Sequence, residues 1–176
     1  MGIEEVLLLV LLAFIPAGLL FLATKMMMQK FFEREYAERA KEVKELSRKK
    51  TLPLRLQAIE RLVLYLERIN PTNSIMTHYK PNMSGSDLQS TLLAQIRSEY
   101  DHNIAQQVYV GEDSWEALKT AKEETIKIIN IAAQEAGKEA NALQFSNTVY
   151  ELMAQLKEAP SDGACRIIKR EARRLF

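Results

Sequence analysis

The stretch Thr51–Ile69, which reads TLPLRLQAIERLVLYLERI, decides the fold class. Its main apolar residues recur at intervals of four and three, the spacing of one face of an α-helix. They are Leu52, Leu56, Ile59, Val63 and Leu66. The remaining polar residues form one narrow stripe, and a helix apolar over most of its circumference is typical of the centre of a bundle. The pattern predicts a central bundle helix with Pro53 in its first turn, where a missing N–H costs little.

Helical spacing continues on both sides of this segment, and no stretch alternates apolar and polar residues long enough to predict a sheet. Residues 70–84 hold two prolines and several turn formers, which predicts the longest loop of the chain. Further helices are predicted from Ser86 or Asp87 to about Gln107, from a capping box at Asp113 and Glu116, from 142 to before Pro160, and from a cap at Ser161 or Asp162. VYVGED, at 108–113, is predicted to be a short extended link, and Gly137 either breaks its helix or lies within it.

An uncharged segment near the start of the chain predicts a membrane anchor. Val6–Thr24 reads VLLLVLLAFIPAGLLFLAT, 19 residues between Glu5 and Lys25. At about 1.5 Å per residue this helix matches a hydrocarbon core of about 30 Å. A cleaved signal peptide would have basic residues before its apolar run, whereas Glu4 and Glu5 precede this one. We therefore expect a retained single-pass transmembrane helix in contact with the lipid bilayer.

The charges flanking this segment predict its orientation. Residues 25–50 hold nine bases and five acids, with Lys25, Lys30 and Arg34 nearest the membrane. Because basic flanks stay in the cytoplasm, we expect the N-terminus outside and the rest of the chain inside. The expected organisation is an anchor over 1–24, a basic helical stalk over 25–50 and a cytoplasmic bundle of about five helices over 51–176. The fold class is thus all-α.

The remaining charge is unevenly distributed. Residues 51–165 hold ten bases and fifteen acids, whereas Arg166–Phe176 holds five bases and one acid. The tail has apolar residues on one face, which favours docking on the acidic body over lying on lipid. A body of this sign disfavours nucleic acid as a partner. In the stalk, the spacing of Tyr36, Ala40, Val43 and Ser47 allows a dimer contact or a docked helix.

The residues that invite a catalytic or metal-binding interpretation are few. Glu99 and His102 have the E-x-x-H spacing of carboxylate-bridged iron sites, but those sites need a second such motif, and the other histidine, His78, lies in the predicted loop. At about 100° per residue, His102 points away from the apolar face of its helix. A metal-binding or enzymatic bundle using Glu99 and His102 with Glu60 or Glu124 remains an alternative. We expect no catalytic residue and no cofactor.

Three amide side chains lie on the apolar face of the predicted helix that contains Glu99 and His102, when its residues are placed at about 100° intervals. Gln89, Asn103 and Gln107 fall near the middle of the face that Ile96 and Tyr100 define. Buried amides need hydrogen-bond partners. They either bond nearby loop backbone or line a contact with a partner protein or small ligand.

Two phrases carry a resemblance to a known family. The chain from LPLRLQAIERLVLYLERINP (52–71) through DLQSTLLAQIRSEYDHNIAQQVYV (87–110) to Trp115 is similar to a family of small, functionally uncharacterised membrane-anchored proteins found in Bacteroidota. The specific phrases are LRLQA-x-ERL and EYDHN-x-x-QQ, and the likeness extends from the anchor to about Asn130. The resemblance implies a bacterial inner-membrane setting and assigns no catalytic or ligand-binding residue.

Together these features favour an accessory or scaffold subunit of a bacterial inner-membrane complex, which acts by protein–protein contact with other subunits or with a second copy. The expected contact surface combines the 70–84 loop, the Asn103 face and the basic tail. Its candidate residues are His78, Tyr79, Asn103, Gln107, Arg170, Arg173 and Arg174. A further alternative is a membrane-surface or nucleic-acid tether that uses the basic stalk and tail.

Overall fold

A computed structural model describes residues 2–175, apart from the side chains of residues 6–11 and 13. The predicted all-α fold is confirmed, since the described residues contain helices and no strand. The elements are α1 (Ile3–Ile69), α2 (Pro71–His78), α3 (Gly85–Asn103), a 3-10 helix (Ile104–Val108), α4 (Glu112–Ala136), α5 (Ala142–Gln155) and α6 (Pro160–Arg173).

The chain divides into two compact units, residues 1–50 and 51–176. In the first unit, which is helical throughout its described part beyond Gly2, large apolar side chains such as Leu20 and Phe21 are exposed. Among the side chains that the structure describes, no helix offers a run long and apolar enough to cross a bilayer. The predicted span Val6–Thr24 includes Val6–Leu11 and Ala13, whose side chains lie outside the described residues. The transmembrane anchor therefore stays a prediction.

The helix predicted to start at Thr51 has no start there, because α1 runs through Pro53. A proline inside a helix removes one hydrogen bond to the carbonyl four residues earlier. Pro53 and Lys49 are both exposed, so water can solvate the carbonyl of Lys49. The prediction of a new helix at this point was wrong for that reason.

The core of the second unit joins the last part of α1 to all the later α-helices. Ala58, Leu62, Tyr65, Leu66 and Ile69 are buried, whereas Leu52, Leu56 and Val63 of the predicted seam are only half-buried. This segment also has an open side, on which Leu54 and Leu64 are exposed, so it is not enclosed as a central helix would be. α4 packs against α3, α5 and α6.

The predicted 70–84 loop is wrong, because its first half forms α2. Asn70 caps this helix by accepting a hydrogen bond from Thr72 N at 3.1 Å, and Pro71 occupies its first turn. Both residue types favour a helix start. Ser74 and Ile75 are buried, and this packing stabilises a helix of only eight residues.

Two predicted helix caps are also wrong. α4 is capped at Gly111, and Glu116 pairs with Lys119 at 2.6 Å instead of closing a box with Asp113. α6 begins with Pro160 and has Ala159 as its cap, two residues before Ser161 and three before Asp162. The VYVGED link is not extended, because the 3-10 helix reaches Val108 and Tyr109 keeps a helical conformation.

Glycines mark two of the turns. Gly137 ends α4 with a φ of 86°, a conformation that other residues rarely adopt. Gly85 starts α3 by donating to the carbonyl oxygen of Ala140 at 2.8 Å, and a Cβ there would lie 2.9 Å from that oxygen. The start of α3 is thereby held against the residues that precede α5.

Candidate functional site

A polar cavity of about 420 Å³ lies between the end of α1 and the end of α3. We call it the Tyr65 pocket. Its lining residues are Arg61, Leu64, Tyr65, Arg68, Ser98, Glu99, His102 and Asn103. The two stretches that carry the family resemblance, 52–71 and 87–110, thus face each other across this cavity.

An ion pair links the two walls of the pocket. Arg68 Nη1 lies 3.0 and 3.1 Å from the two carboxylate oxygens of Glu99. The Arg68 backbone carbonyl also accepts from Gln95 Nε2 at 3.3 Å. Since the Arg68 side chain is more than half exposed, the pair stabilises the fold by about 0.2–1 kcal/mol. Its main effect is to neutralise Glu99 at the pocket wall.

Tyr65 contributes a buried hydroxyl to this region. The residue is 1% exposed, and its hydroxyl has no hydrogen-bond partner among the described residues. Burial raises the pKa of Tyr65 strongly above its usual value, and Tyr100, Glu123 and Glu99 raise it further. The hydroxyl therefore stays protonated at neutral pH.

Two further aromatic rings pack in a series with the ring of Tyr65. The Tyr65 ring centroid lies 6.3 Å from that of Tyr100, which lies 5.8 Å from that of Trp115. Lys122 Nζ lies 4.1 Å from the centre of the Tyr100 ring, a cation–π distance. These contacts pack the Tyr65 ring against the core.

His102 is exposed, as its helical angle predicts, and lies on the pocket rim. Its Nδ1 lies 2.7 Å from the carbonyl oxygen of Ser98, which can only accept, so Nδ1 carries the proton. In this tautomer Nε2, the other ring nitrogen, is a hydrogen-bond acceptor. Within the part of the chain that the structure describes, no three His, Cys, Asp or Glu side chains cluster as metal ligands would.

The other carboxylates considered for a metal site lie elsewhere. Glu60 is exposed on α1 and does not line the Tyr65 pocket. Glu124 lines a different cavity, of about 620 Å³, between α4 and α6. The structure therefore brings neither of them together with Glu99 and His102 in one pocket.

The three amides predicted on the core face of α3 have different environments. Gln89 is half-buried and donates to Asn130 Oδ1 at 3.0 Å. Asn103 is buried and donates to the carbonyl oxygen of Glu99 at 2.8 Å. Gln107 is exposed, contrary to prediction, because α3 ends at Asn103 and the helical wheel does not continue into the 3-10 helix.

The expected interaction residues do not form one surface. His78 and Tyr79 end α2, just before the turn into the start of α3, whereas Asn103 and Gln107 lie at or beyond its end. The 19 residues of α3 span about 27 Å at 1.5 Å per residue, which separates the two groups.

The basic residues of the tail belong with the second group. Arg170, Arg173 and Arg174 are exposed in the last turns of α6. Between them Glu171 bonds Gly111, four residues beyond Gln107. The apolar face of α6, with Ala164 and Ile168 buried, packs in the core.

A carboxylate network that sequence reasoning missed fixes this end of the unit. Glu171 accepts hydrogen bonds from Gly111 N at 2.9 Å, from Ser114 Oγ, and from Arg55 Nη2 at 2.8 Å. A negative charge at the start of α4 is also favoured by the helix dipole. A Cβ at Gly111 would lie 3.1 Å from this carboxylate. The available signal was that Glu171 is the single acid of the basic tail.

Beside this network the 3-10 helix exposes a small apolar surface, which we call the Val108 patch. It consists of Ile104, Val108 and Tyr109, which are 45%, 77% and 40% exposed. Arg55 Nε holds the patch by donating to the Tyr109 carbonyl oxygen at 3.0 Å. Sequence reasoning selected the neighbouring amides and missed these residues.

Lys25, Lys30 and Arg34, which the sequence predicts to flank a membrane, are all exposed on α1.

The chain belongs to a family of unknown function, DUF7935, whose model matches residues 5–175. Neither the search of curated proteins nor that of solved structures found a match.

Proposed function

We propose that the protein is a membrane-anchored accessory or scaffold subunit whose helical second unit binds another protein. The observation that carries this proposal is the Val108 patch, three large apolar side chains exposed within six consecutive residues. Exposed apolar clusters on a folded surface are characteristic of interaction sites.

The patch has two properties of a binding surface. The Arg55 and Glu171 hydrogen bonds hold the residues around it in place, so little conformational entropy is lost on binding. Gln107, which directly precedes Val108, is exposed, and so are Arg173 and Arg174, which follow the Glu171 that bonds Gly111. An apolar centre with a polar rim is the usual anatomy of a protein interface.

The first unit supports the anchoring part of the proposal. Val6–Thr24 contains no charged residue. Its described large side chains, Leu12, Phe14, Ile15 and Leu19–Leu22, are all more than half exposed. Such side chains are favourable in a bilayer and unfavourable in water. These exposed apolar side chains and the basic residues that follow them support an anchor in a bacterial inner membrane, with the N-terminus outside and the C-terminus inside. From the family resemblance we also propose that the protein comes from a member of the Bacteroidota.

The proposal is tested by purifying the tagged full-length protein from its native membrane in mild detergent. Mass spectrometry and light scattering should then show a companion protein in a fixed ratio. Val108→Glu should reduce that companion at least tenfold, since a charge in a buried apolar contact is unfavourable. Leu143→Glu is the matched control, because Leu143 is 55% exposed on α5, away from the patch, and should retain the companion.

Fluorescence of Trp115, the chain's one tryptophan, should be unchanged in both variants and so show that the second unit is folded. A particle that contains only this chain, or a companion retained by Val108→Glu, would contradict the proposal. A pure homo-oligomer would instead favour self-assembly through the seam of Tyr36, Ala40 and Val43.

A further inference from the structure

We propose that the stalk, residues 25–50 of α1, pairs with the stalk of a second copy of the chain as a parallel two-stranded coiled coil. This inference rests on the anchoring part of the proposed function and is independent of the Val108 patch. It is carried by a row of exposed apolar side chains on one face of the helix, which we call the stalk stripe. The stripe consists of Phe32, Tyr36, Ala40, Val43 and Leu46.

The stalk stripe is a continuous apolar face without cover from its own unit. At about 100° per residue, its five residues fall within an arc of about 120°. Its four large side chains are 46% to 73% exposed. The first unit is one stretch of α1, so its described part contains no second helix that could pack on them. Because a single helix is only marginally stable in water, the stripe indicates a packing partner.

The spacing within the stripe is that of a coiled coil. The residues along its centre follow one another at intervals of four, three, four and three. They are Phe32, Tyr36, Arg39, Val43 and Leu46. This repeat averages 3.5 residues, which keeps one side of a helix against a partner helix. Arg39 is the one charged residue of the series, and its Nη2 lies 2.5 Å from Glu35 Oε1, which neutralises it.

The stripe also has a depression of the kind that a coiled coil fills. Phe32, Glu35, Tyr36 and Arg39 line a cavity of about 240 Å³. Four residues of one helix at positions i, i+3, i+4 and i+7 form the hole in knobs-into-holes packing. In a parallel pair at the same level, the side chain that enters this hole is Tyr36 of the second copy. The stalk therefore supplies both the hole and the side chain that fits it.

The anchor favours a second copy over another protein. Two copies in one membrane have the same orientation and depth, so identical residues of their stalks lie at the same level. Glu35 of one copy then lies beside Ala40 of the other, and Glu42 beside Ser47, so no like charges oppose each other at these flanking positions. α1 is unbroken over Ile3–Ile69, which disfavours a turn of the stalk onto the lipid surface.

The length of the stripe determines where the pairing should be measured. A seam of about two heptads is shorter than that of most coiled coils. Confinement of both copies to one membrane raises their effective concentration, which favours a weak contact. The pairing is therefore tested in native membranes, before detergent is added.

Disulfide crosslinking of the full-length protein in isolated native membranes is the experiment. Mild oxidation should link most of Val43→Cys into a dimer, because the two new thiols face each other across the seam. Glu45→Cys is the matched control on the far side of the helix, and its yield should be about tenfold lower, since a disulfide needs Cα atoms within about 7 Å. The wild type, whose Cys165 is buried in the second unit, should give no dimer.

A second pair of variants tests the stripe itself. Tyr36→Glu, added to Val43→Cys, should lower the dimer yield about tenfold, because it places two carboxylates in an apolar seam. Ala37→Glu introduces the same charge on an exposed position outside the stripe and should retain the dimer. Trp115 fluorescence should be the same in both, as evidence that the second unit is folded.

The outcomes separate this inference from the proposed function. A Val43→Cys yield no higher than that of Glu45→Cys, in protein that sediments with the membrane, would overturn the pairing and leave the proposed function standing. So would a dimer retained by Tyr36→Glu, or a Val43→Cys adduct with the mass of another protein. A chain found in the soluble fraction would overturn the anchoring and the pairing together.

Discussion

The early and late parts of α1 are both rich in large apolar residues, but they bury them to opposite extents. Leu19–Leu22 are each more than half exposed, whereas Leu62 and Leu66 are at most 1% exposed. The late residues pack against helices of their own chain, in one core with α3–α6. Similar apolar residues in one helix can therefore serve two purposes, packing in a protein core and contact with a membrane. We propose that lipid covers the early part of α1.

The largest effect is expected from a change inside the late part. Leu62→Ala should lower the free energy of unfolding by about 2–5 kcal/mol, because it leaves a cavity in a packed core. Leu64→Ala is the matched control on the same helix. Leu64 is 48% exposed, and its loss should cost about 0.5 kcal/mol or less. Urea unfolding followed by Trp115 fluorescence measures both, and equal losses would show that the late part is not the core we describe.

A comparable change in the early part should affect location and not stability. An arginine at the centre of a membrane helix costs about 2.5–3.5 kcal/mol, so Ile15→Arg should release much of the protein from membranes in alkaline carbonate. Val43→Arg exposes the same new charge outside the predicted span and should remain bound. Identical extraction of the two variants would remove lipid as the explanation for the exposed residues.

A smaller effect is expected where the late part of α1 meets the end of α6. Glu171→Gln removes the charge that bonds Arg55 and Gly111, and hydrogen bonds to charged groups contribute about 1.5–3 kcal/mol. We expect a loss of about 2 kcal/mol by the same urea assay. Glu158→Gln breaks the more exposed pair with Arg166 and should cost about 1 kcal/mol or less. Unfolding energies that do not distinguish these variants would argue against a structural network.

The smallest effect concerns pH. Because burial raises the pKa of Tyr65 in the folded state, the unfolded chain loses this proton first, and stability falls as pH rises above about 10. At pH 11 the wild type should have lost about 1 kcal/mol more than Tyr65→Phe, relative to pH 9. Parallel pH profiles would mean that the tyrosine is less buried than the structure has it.

In the longer helices of the second unit, the spacing of apolar residues predicted the helix and much of its buried face. Trp115, Leu118 and Ala121 of α4 are all buried, as their spacing predicts. Of the four-and-three seam of α1, Ile59 and Leu66 are buried, whereas Leu52, Leu56 and Val63 are half-buried. The helical wheel also predicts the burial of Asn103 correctly. It wrongly places Gln107 on the buried face, because the wheel assumes that α3 continues, whereas α3 ends at Asn103. Helix ends are set by local hydrogen bonds that an apolar pattern does not contain.

The sites themselves were harder to predict, for a different physical reason. Arg55 and Glu171 are 116 residues apart, and nothing in their local sequence indicates that they bond. The Tyr65 pocket likewise depends on the contact between α1 and α3. The E-x-x-H spacing of Glu99 and His102 is visible in the sequence, but it does not indicate which residues of α1 lie opposite them. The short helix α2 is stabilised because Ile75 packs in the core, a tertiary contact that the local sequence does not indicate.

Photo-crosslinking in the native membrane tests the central claim most directly, namely that the Val108 patch contacts a partner protein while the early part of α1 contacts lipid. A photoreactive phenylalanine analogue would replace Val108, Leu20 or Leu143 in separate full-length variants, all of them more than half exposed. The account predicts one discrete protein adduct from position 108 and none from positions 20 and 143. No adduct at 108, or the same protein captured from all three positions, would contradict it.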